Sequence, residues 1–261
     1  MMNKFHVVFI STPGSLGNLV PTVEFARHLT NHDRRFFATV LMIDMIQRPI
    51  ITAYVESCRQ STATNINFIN LPPTVDPPSP NEYQGFFGYM SLLVANHKHS
   101  VKHALANLIM SDSRVAGLFV DMFCTSMIDV ANELGISCYL YFASPVSFLG
   151  FMLHFPTLDD TQFAMEFVDS DDGMMVPKDS TGSMKELGLG VEIRLDYREG
   201  SDDLVSPVEL ERALRRLMEG SEADEVRRKF QEMKEKSWMA LMPNGSSYKS
   251  LTSLIEELIR N

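Results

Sequence analysis

The sequence predicts an α/β fold built on a parallel sheet. Three observations point there: short apolar runs recur through the first half of the chain, helical patterns separate them, and glycine or proline punctuates the changes. Strands that alternate with helices are joined by crossovers, and the crossover helices cover both faces of the sheet.

The first apolar run is His6 to Ile10. Ser11-Thr-Pro-Gly14 ends it as a tight loop, and Leu19, Val23, Ala26 and Leu29 follow at helical spacing. Thr39 to Ile43 and Ile66 to Leu71 read as further strands. Pro72, Pro73, Pro77, Pro78 and Pro80 then mark a surface loop, because proline supplies no backbone donor to a helix or a central strand. Tyr83 to Met110 is a long, broken helical stretch. Gly117 to Phe123 and Cys138 to Phe142 are strand-like, with a helix over Ser126 to Leu134 between them.

From residue 159 to 183 no apolar periodicity survives. Asp169, Asp171, Asp172, Gly173, Pro177, Asp179 and Gly182 make this an irregular junction between a domain over 1–158 and a tail over 184–261. In the tail, Gly190 to Leu195 reads as one strand. Ser206-Pro-Val-Glu209 then combines a capping serine, a proline at the first helical position and a glutamate at the third. Leu210, Leu214 and Leu217 continue that helix, and Gly220 is its expected stop. A second helix carries Val226, Phe230, Met233 and Ser237 and closes at Pro243-Asn-Gly245; a third carries Tyr248, Leu251, Leu254, Ile255 and Leu258. With so few strands, the tail is expected to pack its apolar faces on the first domain.

A chain of 261 residues that is 45% hydrophobic can bury a substantial core. Its net charge of -10 gives no electrostatic basis for binding nucleic acid or an anionic membrane. Cys58, Cys124 and Cys138 are an odd set without CxxC spacing, which fits a reducing compartment. The run from Val7 to Ile10 is too short for a signal peptide or a membrane span, so a cytosolic location is expected.

Five segments carry a resemblance to a known family. The opening Phe9-Ile-Ser-Thr-Pro-Gly-Ser-Leu-Gly-Asn-Leu-Val-Pro-Thr-Val-Glu-Phe-Ala26 resembles the first strand, loop and helix of family 1 plant UDP-sugar glycosyltransferases, particularly those acting on phenolics and terpenoids. Ala116-Gly-Leu-Phe-Val-Asp-Met-Phe-Cys124 running into Ile128 to Leu134, Tyr139 to His154, Lys185 to Tyr197, and Met233 to Ile255 agree in the same order. The resemblance implies a GT-B fold, in which a Rossmann-like N-terminal domain holds the acceptor, a second domain holds the UDP-sugar, and the last helices cross back. Here Val168-Asp-Ser-Asp-Asp172 passes almost directly to Met184-Lys-Glu-Leu-Gly188, which in the family lies just past the nucleotide motif. The expectation is therefore an internally truncated chain with a reduced, mostly helical C-terminal remnant. The only tryptophan, Trp238, lies outside the family's signature context, so no cofactor is expected and the family donor, a UDP-sugar, should bind poorly.

The resemblance also places the catalytic positions. The family's base histidine falls on Asn18, and the aspartate that orients it falls on Asp121. Asparagine has no basic nitrogen near neutral pH, and general-base assistance contributes about 10²–10⁴-fold in rate, so transfer should be impaired. Competing readings make Asn18 the cap of a helix starting at Leu19, Asp121 the cap of the following helix, and Gly14 with Gly17 a tight turn. Ala143, with Ser144 beside it, stands where the family often has a donor-contacting threonine. Phe86, Phe87, Tyr89, Met122, Phe142, Ser144 and Phe148 fall where relatives form the acceptor pocket, with core packing as the rival role. His97, His99 and His103 sit on one predicted helix; 99 and 103 have chelating spacing but lack an acidic third ligand, so a solvated face is expected and no metal. The partners expected are a hydrophobic metabolite and either a second copy or a full-length relative. Three functional readings remain open: a binder impaired in transfer, a weak or partner-complemented transferase, and a donor-free isomerase or cyclase in the acceptor cavity.

Overall fold

The computed structural model describes residues 4–45, 49–60, 65–74, 77–111, 114–144 and 206–261, with 149, 153 and 188 besides. The expected junction over 159–183, the strand from Gly190 to Leu195, and Phe148 lie outside the described residues.

Among the described residues five strands form one sheet: β1 (Phe5–Ile10), β2 (Phe36–Met42), β3 (Ile66–Asn70), β4 (Arg114–Asp121) and β5 (Cys138–Tyr141). Their order is β3-β2-β1-β4-β5 and every pairing is parallel. The crossovers contain α1 (Leu16–His32), α2 (Pro49–Gln60), α3 (Gly85–Asn96), α4 (Lys98–Met110), a 3-10 turn (Thr125–Met127) and α5 (Ile128–Leu134). The last three helices are α6 (Pro207–Met218), α7 (Gly220–Leu241) and α8 (Ser246–Arg260).

β1 shows why its apolar run is continuous rather than alternating. Phe5, Val7 and Phe9 enter one core, while Val8 and Ile10 enter the other, as a central parallel strand covered on both faces requires. The first core takes Leu19, Val23, Ala26 and Leu29 of α1, Val55 and Cys58 of α2, and Ile255 and Leu258 of α8. The second takes Leu93 and Val94 of α3, Val101 and Leu105 of α4, and Val130 and Ala131 of α5. Rings of Phe9, Phe25, Phe119, Tyr139 and Tyr141 meet across the first face with centroids 4.9 to 5.9 Å apart, Phe25 edge-on to Phe9 and Phe119 and the other pairs stacked.

Sequence reading passed over α2, although Ile51, Tyr54, Val55 and Cys58 stand at helical spacing and pack on the first core. The break expected within Tyr83 to Met110 falls at His97, so the three histidines do not share one helix. His97 is buried and its Nδ1–H donates to Leu93 O at 2.7 Å, whereas His99 and His103 are exposed on α4.

The chain divides into two compact units, Met1–Ala143 with Ser250–Asn261, and Ser144–Lys249. In the first, α8 approaches β4 closely at Gly117, where a Cβ would come within 2.9 Å of the Tyr139 ring and 3.0 Å of Leu258. Tyr139 donates its hydroxyl to Glu257 at 3.1 Å and accepts from Asn261, also at 3.1 Å; His32 and Thr252 are bonded at 2.9 Å. In the second, α6 begins with a complete capping box, Ser206 accepting from Glu209 N while Glu209 accepts from Ser206 N. Gly220, with φ of 79°, opens α7 rather than only ending α6: the left-handed turn it permits joins the two helices without a loop.

Candidate functional site

The sheet reverses its winding between β1 and β4. The crevice at the carboxyl ends of those strands is where open α/β sheets present ligand groups. Thr12 follows β1, Asp121 ends β4, and Asn18 lies in the first turn of α1. Parallel pairing of Ile10 with Val120 brings these residues together.

Ser15 is the N-cap of α1, its hydroxyl oxygen accepting from Asn18 N at 3.3 Å. This corrects two sequence expectations. Asn18 is the third helical residue, not the cap, because the hydroxyl three residues earlier already takes its backbone N–H. Gly17 is inside the helix, and only Gly14, with φ of 67°, occupies a conformation that calls for glycine.

Asp121 is 2% exposed, and both its carboxylate oxygens are used. Oδ2 accepts from the backbone N–H and the hydroxyl of Thr12. Asn18 Nδ2 donates to Thr12 Oγ1 at 2.7 Å and reaches Asp121 Oδ2 at 3.5 Å. Oδ1 accepts from Phe123 N at 3.0 Å, and the Asp121 carbonyl accepts from Cys124 N at 2.9 Å. A buried carboxylate with this many donors is compensated for its lost hydration. The same bonds displace the helix-cap reading of Asp121: α5 has Met127 at its N-cap with no side-chain bond, and Asp121 instead closes a turn and clamps the loop after β1.

Asn18 Oδ1 accepts from the Ser15 hydroxyl at 3.3 Å, so its amide is occupied on both ends. Among the described residues no histidine shares these bonds: His6 pairs with Thr39, His32 with Thr252, and His97 with Leu93. Cys124 lies beside Asp121, and burial followed by the Asp121 charge pushes its thiol pKa well up, so it stays a thiol rather than a nucleophile at neutral pH. No group of three His, Cys, Asp or Glu suited to a metal occurs among the described residues.

The proposed acceptor residues are placed differently. Phe86 and Phe87 are exposed, the latter by 67%; neither packs in the core. Phe87 stacks on Phe123 with centroids 5.7 Å apart at 12°, and Phe86 meets Phe87 edge-on, forming an aromatic ledge two residues from Asp121. Tyr89 instead packs against the second core and meets Tyr83 edge-on. Met122 and Phe142 are half-buried. Ser144 is exposed and is the first residue of the second unit. Sequence reasoning missed Thr12 and Phe123. Both stand inside the segments that carried the resemblance, but their roles depend on a partner far along the chain.

A groove of about 560 Å3 lies between β3 and α4, lined by Ile69 to Pro72 and by His99, His103 and Asn107 among others. No helix among the described residues is long and apolar enough to cross a membrane.

No protein-family model matches the chain. UDP-glycosyltransferase 43 of Pueraria montana var. lobata is 51% identical over 173 residues, which cover 64% of this chain and 36% of that protein. UDP-glycosyltransferase 71K2 of Pyrus communis is 38% identical over 183 residues, 67% of this chain and 37% of that one. Among solved structures, UGT71G1 of Medicago truncatula, complexed with UDP-glucose, matches with a TM-score of 0.57 at 33% identity, over 67% of this chain and 36% of that chain. A UDP-glucosyltransferase from Polygonum tinctorium capable of glucosylating indoxyl matches with a TM-score of 0.57 at 31% identity, over 67% of this chain and 37% of that chain. The chain thus spans little more than a third of the length of the relatives it matches. Over the two thirds of it that aligns, sequence and parallel-sheet fold agree, and they place the chain in the plant UDP-glycosyltransferase family.

Proposed function

We propose that this chain binds a hydrophobic small molecule as an acceptor-side member of the family and does not transfer sugar efficiently. The observation that carries the reading is Asn18. It stands at the position matched to the base and has only amide groups, which are spent on Ser15, Thr12 and Asp121. Without a base to take the acceptor proton, a factor of about 10²–10⁴ in rate is forgone. The ledge of Phe86 and Phe87, exposed beside the half-buried Phe123, supports the binding half, since aromatic faces favour flat apolar ligands.

Calorimetric titration tests the reading. UDP-glucose should give no saturable heat up to millimolar concentration, while a flat phenolic ligand should bind saturably and lose affinity in a Phe87→Ala variant. Efficient turnover of a UDP-sugar by the isolated chain overturns it. A second reading, complementation by a full-length relative or assembly with a second copy, is favoured by the retained Asp121. Co-expression and pull-down with restored transfer would support it, and a monomer that recruits no relative counts against it.

A further inference from the structure

Among the described residues β3 is an edge of the sheet, so the backbone groups of alternate residues face away from β2. At Phe68 both are taken: its N–H donates to Asn67 Oδ1 at 3.0 Å, and its carbonyl accepts from Arg59 Nη2 at 3.2 Å. An added strand has nothing to pair with there. Leu71 N donates inward to Met42 O at 2.9 Å, so Asn70, the next outward position, turns its own N–H and C=O away from β2. Asn70 lines the groove of about 560 Å3 between β3 and α4, a volume ordinary for small-molecule sites. On the α4 wall His99, His103 and Asn107 follow one another four residues apart as a single polar stripe. Asn107 Nδ2 donates to His103 Nδ1 at 3.3 Å, which orients that ring. Ile69, Ala104 and Leu108 add apolar surface between these polar groups. None of the described lining residues is Asp, Glu, Lys or Arg. The lysines of α4 point elsewhere, Lys98 to Asp129 at 2.5 Å and Lys102 to Glu133 at 2.7 Å on α5.

We propose that this groove is a second small-molecule site, separate from the ledge of Phe86 and Phe87, and that it takes an uncharged planar aromatic compound carrying a hydroxyl. The ring lies on Ile69, Ala104 and Leu108, and the hydroxyl, donor and acceptor at once, meets the Asn70 backbone or the imidazole and amide stripe of α4. A carboxylate or an ammonium entering the same groove gives up water without meeting an opposite charge, so the neutral compound is favoured.

The experiment titrates the full chain with three naphthalenes that share a ring system and differ in charge, 2-naphthol, 2-naphthoate and 2-naphthylmethylammonium, at about pH 8, where free imidazole is neutral. Proton NMR follows the imidazole signals of His99 and His103, each assigned by its own His→Gln variant. 2-Naphthol should shift both signals saturably at millimolar concentration or below, in the parent chain and in Phe87→Ala alike, and the two charged compounds should bind about threefold or more weakly. His103→Ala, at an exposed helix position, should weaken naphthol binding about threefold or more, read on His99; Asn107→Ala takes its place if that variant does not fold. Histidine signals that stay put, or that move only while Phe87 is present, overturn the site, as does unchanged affinity in the variant. A charged naphthalene binding as tightly as naphthol overturns the ligand class. Because these two histidines report on the groove and Phe87→Ala reports on the ledge, failure here is distinguishable from failure of the acceptor-binding reading.

Discussion

Replacing Asp121 by alanine removes the acceptor for the Thr12 N–H, the Thr12 hydroxyl and the Phe123 N–H at once. Thr12 is 5% exposed, so its two donors cannot turn to water, while Phe123 N is only part-buried and recovers some hydration. Each stranded buried donor costs about 1–3 kcal/mol, which puts the loss at about 2–6 kcal/mol for the two Thr12 groups. In a chain of this size 1 kcal/mol moves the melting temperature by roughly 2–4 °C, so Asp121→Ala should melt roughly 5–20 °C below the parent protein. Asp121→Asn keeps one carbonyl oxygen for Thr12 and turns an amide toward Phe123 N, and its loss should be smaller, about 1–3 kcal/mol. Thermal melts followed by circular dichroism at neutral pH read both. An Asp121→Ala protein that melts within about 2 °C of the parent refutes the clamp, because the scale above leaves no such outcome for two stranded donors.

Leu258→Ala should cost about 2–5 kcal/mol by opening a cavity where α8 meets β4, measurable as a drop in chemical-denaturation midpoint; an unchanged midpoint contradicts the burial of this side chain. Ser206→Ala removes half of the capping box and should destabilise α6 by about 1 kcal/mol, seen as faster amide exchange in its first turn and nowhere in the sheet. His6 is held neutral by burial, which lowers its pKa below 6.5. The unfolded chain therefore takes up this proton before the folded one, so the stability contribution is complete above the unfolded pKa and lost as pH falls toward the folded value. The melting temperature should fall as pH drops from about 7 to about 5, and less steeply in His6→Gln; identical slopes in the two proteins remove His6 from the account.

The legible parts of this fold are those whose cause is local. The apolar run of β1, the proline loop after β3 and the Ser206 to Glu209 box each announce themselves within one element, because periodicity and capping involve near neighbours. Their ends shift by a few residues where the neighbouring strand decides: β2 begins at Phe36 because β1 pairs with it from Phe5 onward. The helix α2 went unread although its cause is local too: Ile51, Tyr54, Val55 and Cys58 recur at the spacing of one helical face, and that face is the one packed on the sheet. At the site, the resemblance drew attention to Asn18 and Asp121, and residue type alone says that an asparagine carries no basic nitrogen near neutral pH.

What the sequence by itself determined is the strand and helix alternation, an amide side chain at position 18, and a carboxylate at the end of β4. Only the tertiary structure decided that Thr12, separated by 109 residues from Asp121, gives that carboxylate two donors and shares the Asn18 amide with it. It likewise decided that Phe87 lies open on Phe123 rather than inside the core. The physical reason is the same in both cases. A hydrogen bond or ring stack between distant residues is set by how parallel strands bring their carboxyl ends together, and neither residue alone carries a trace of its partner.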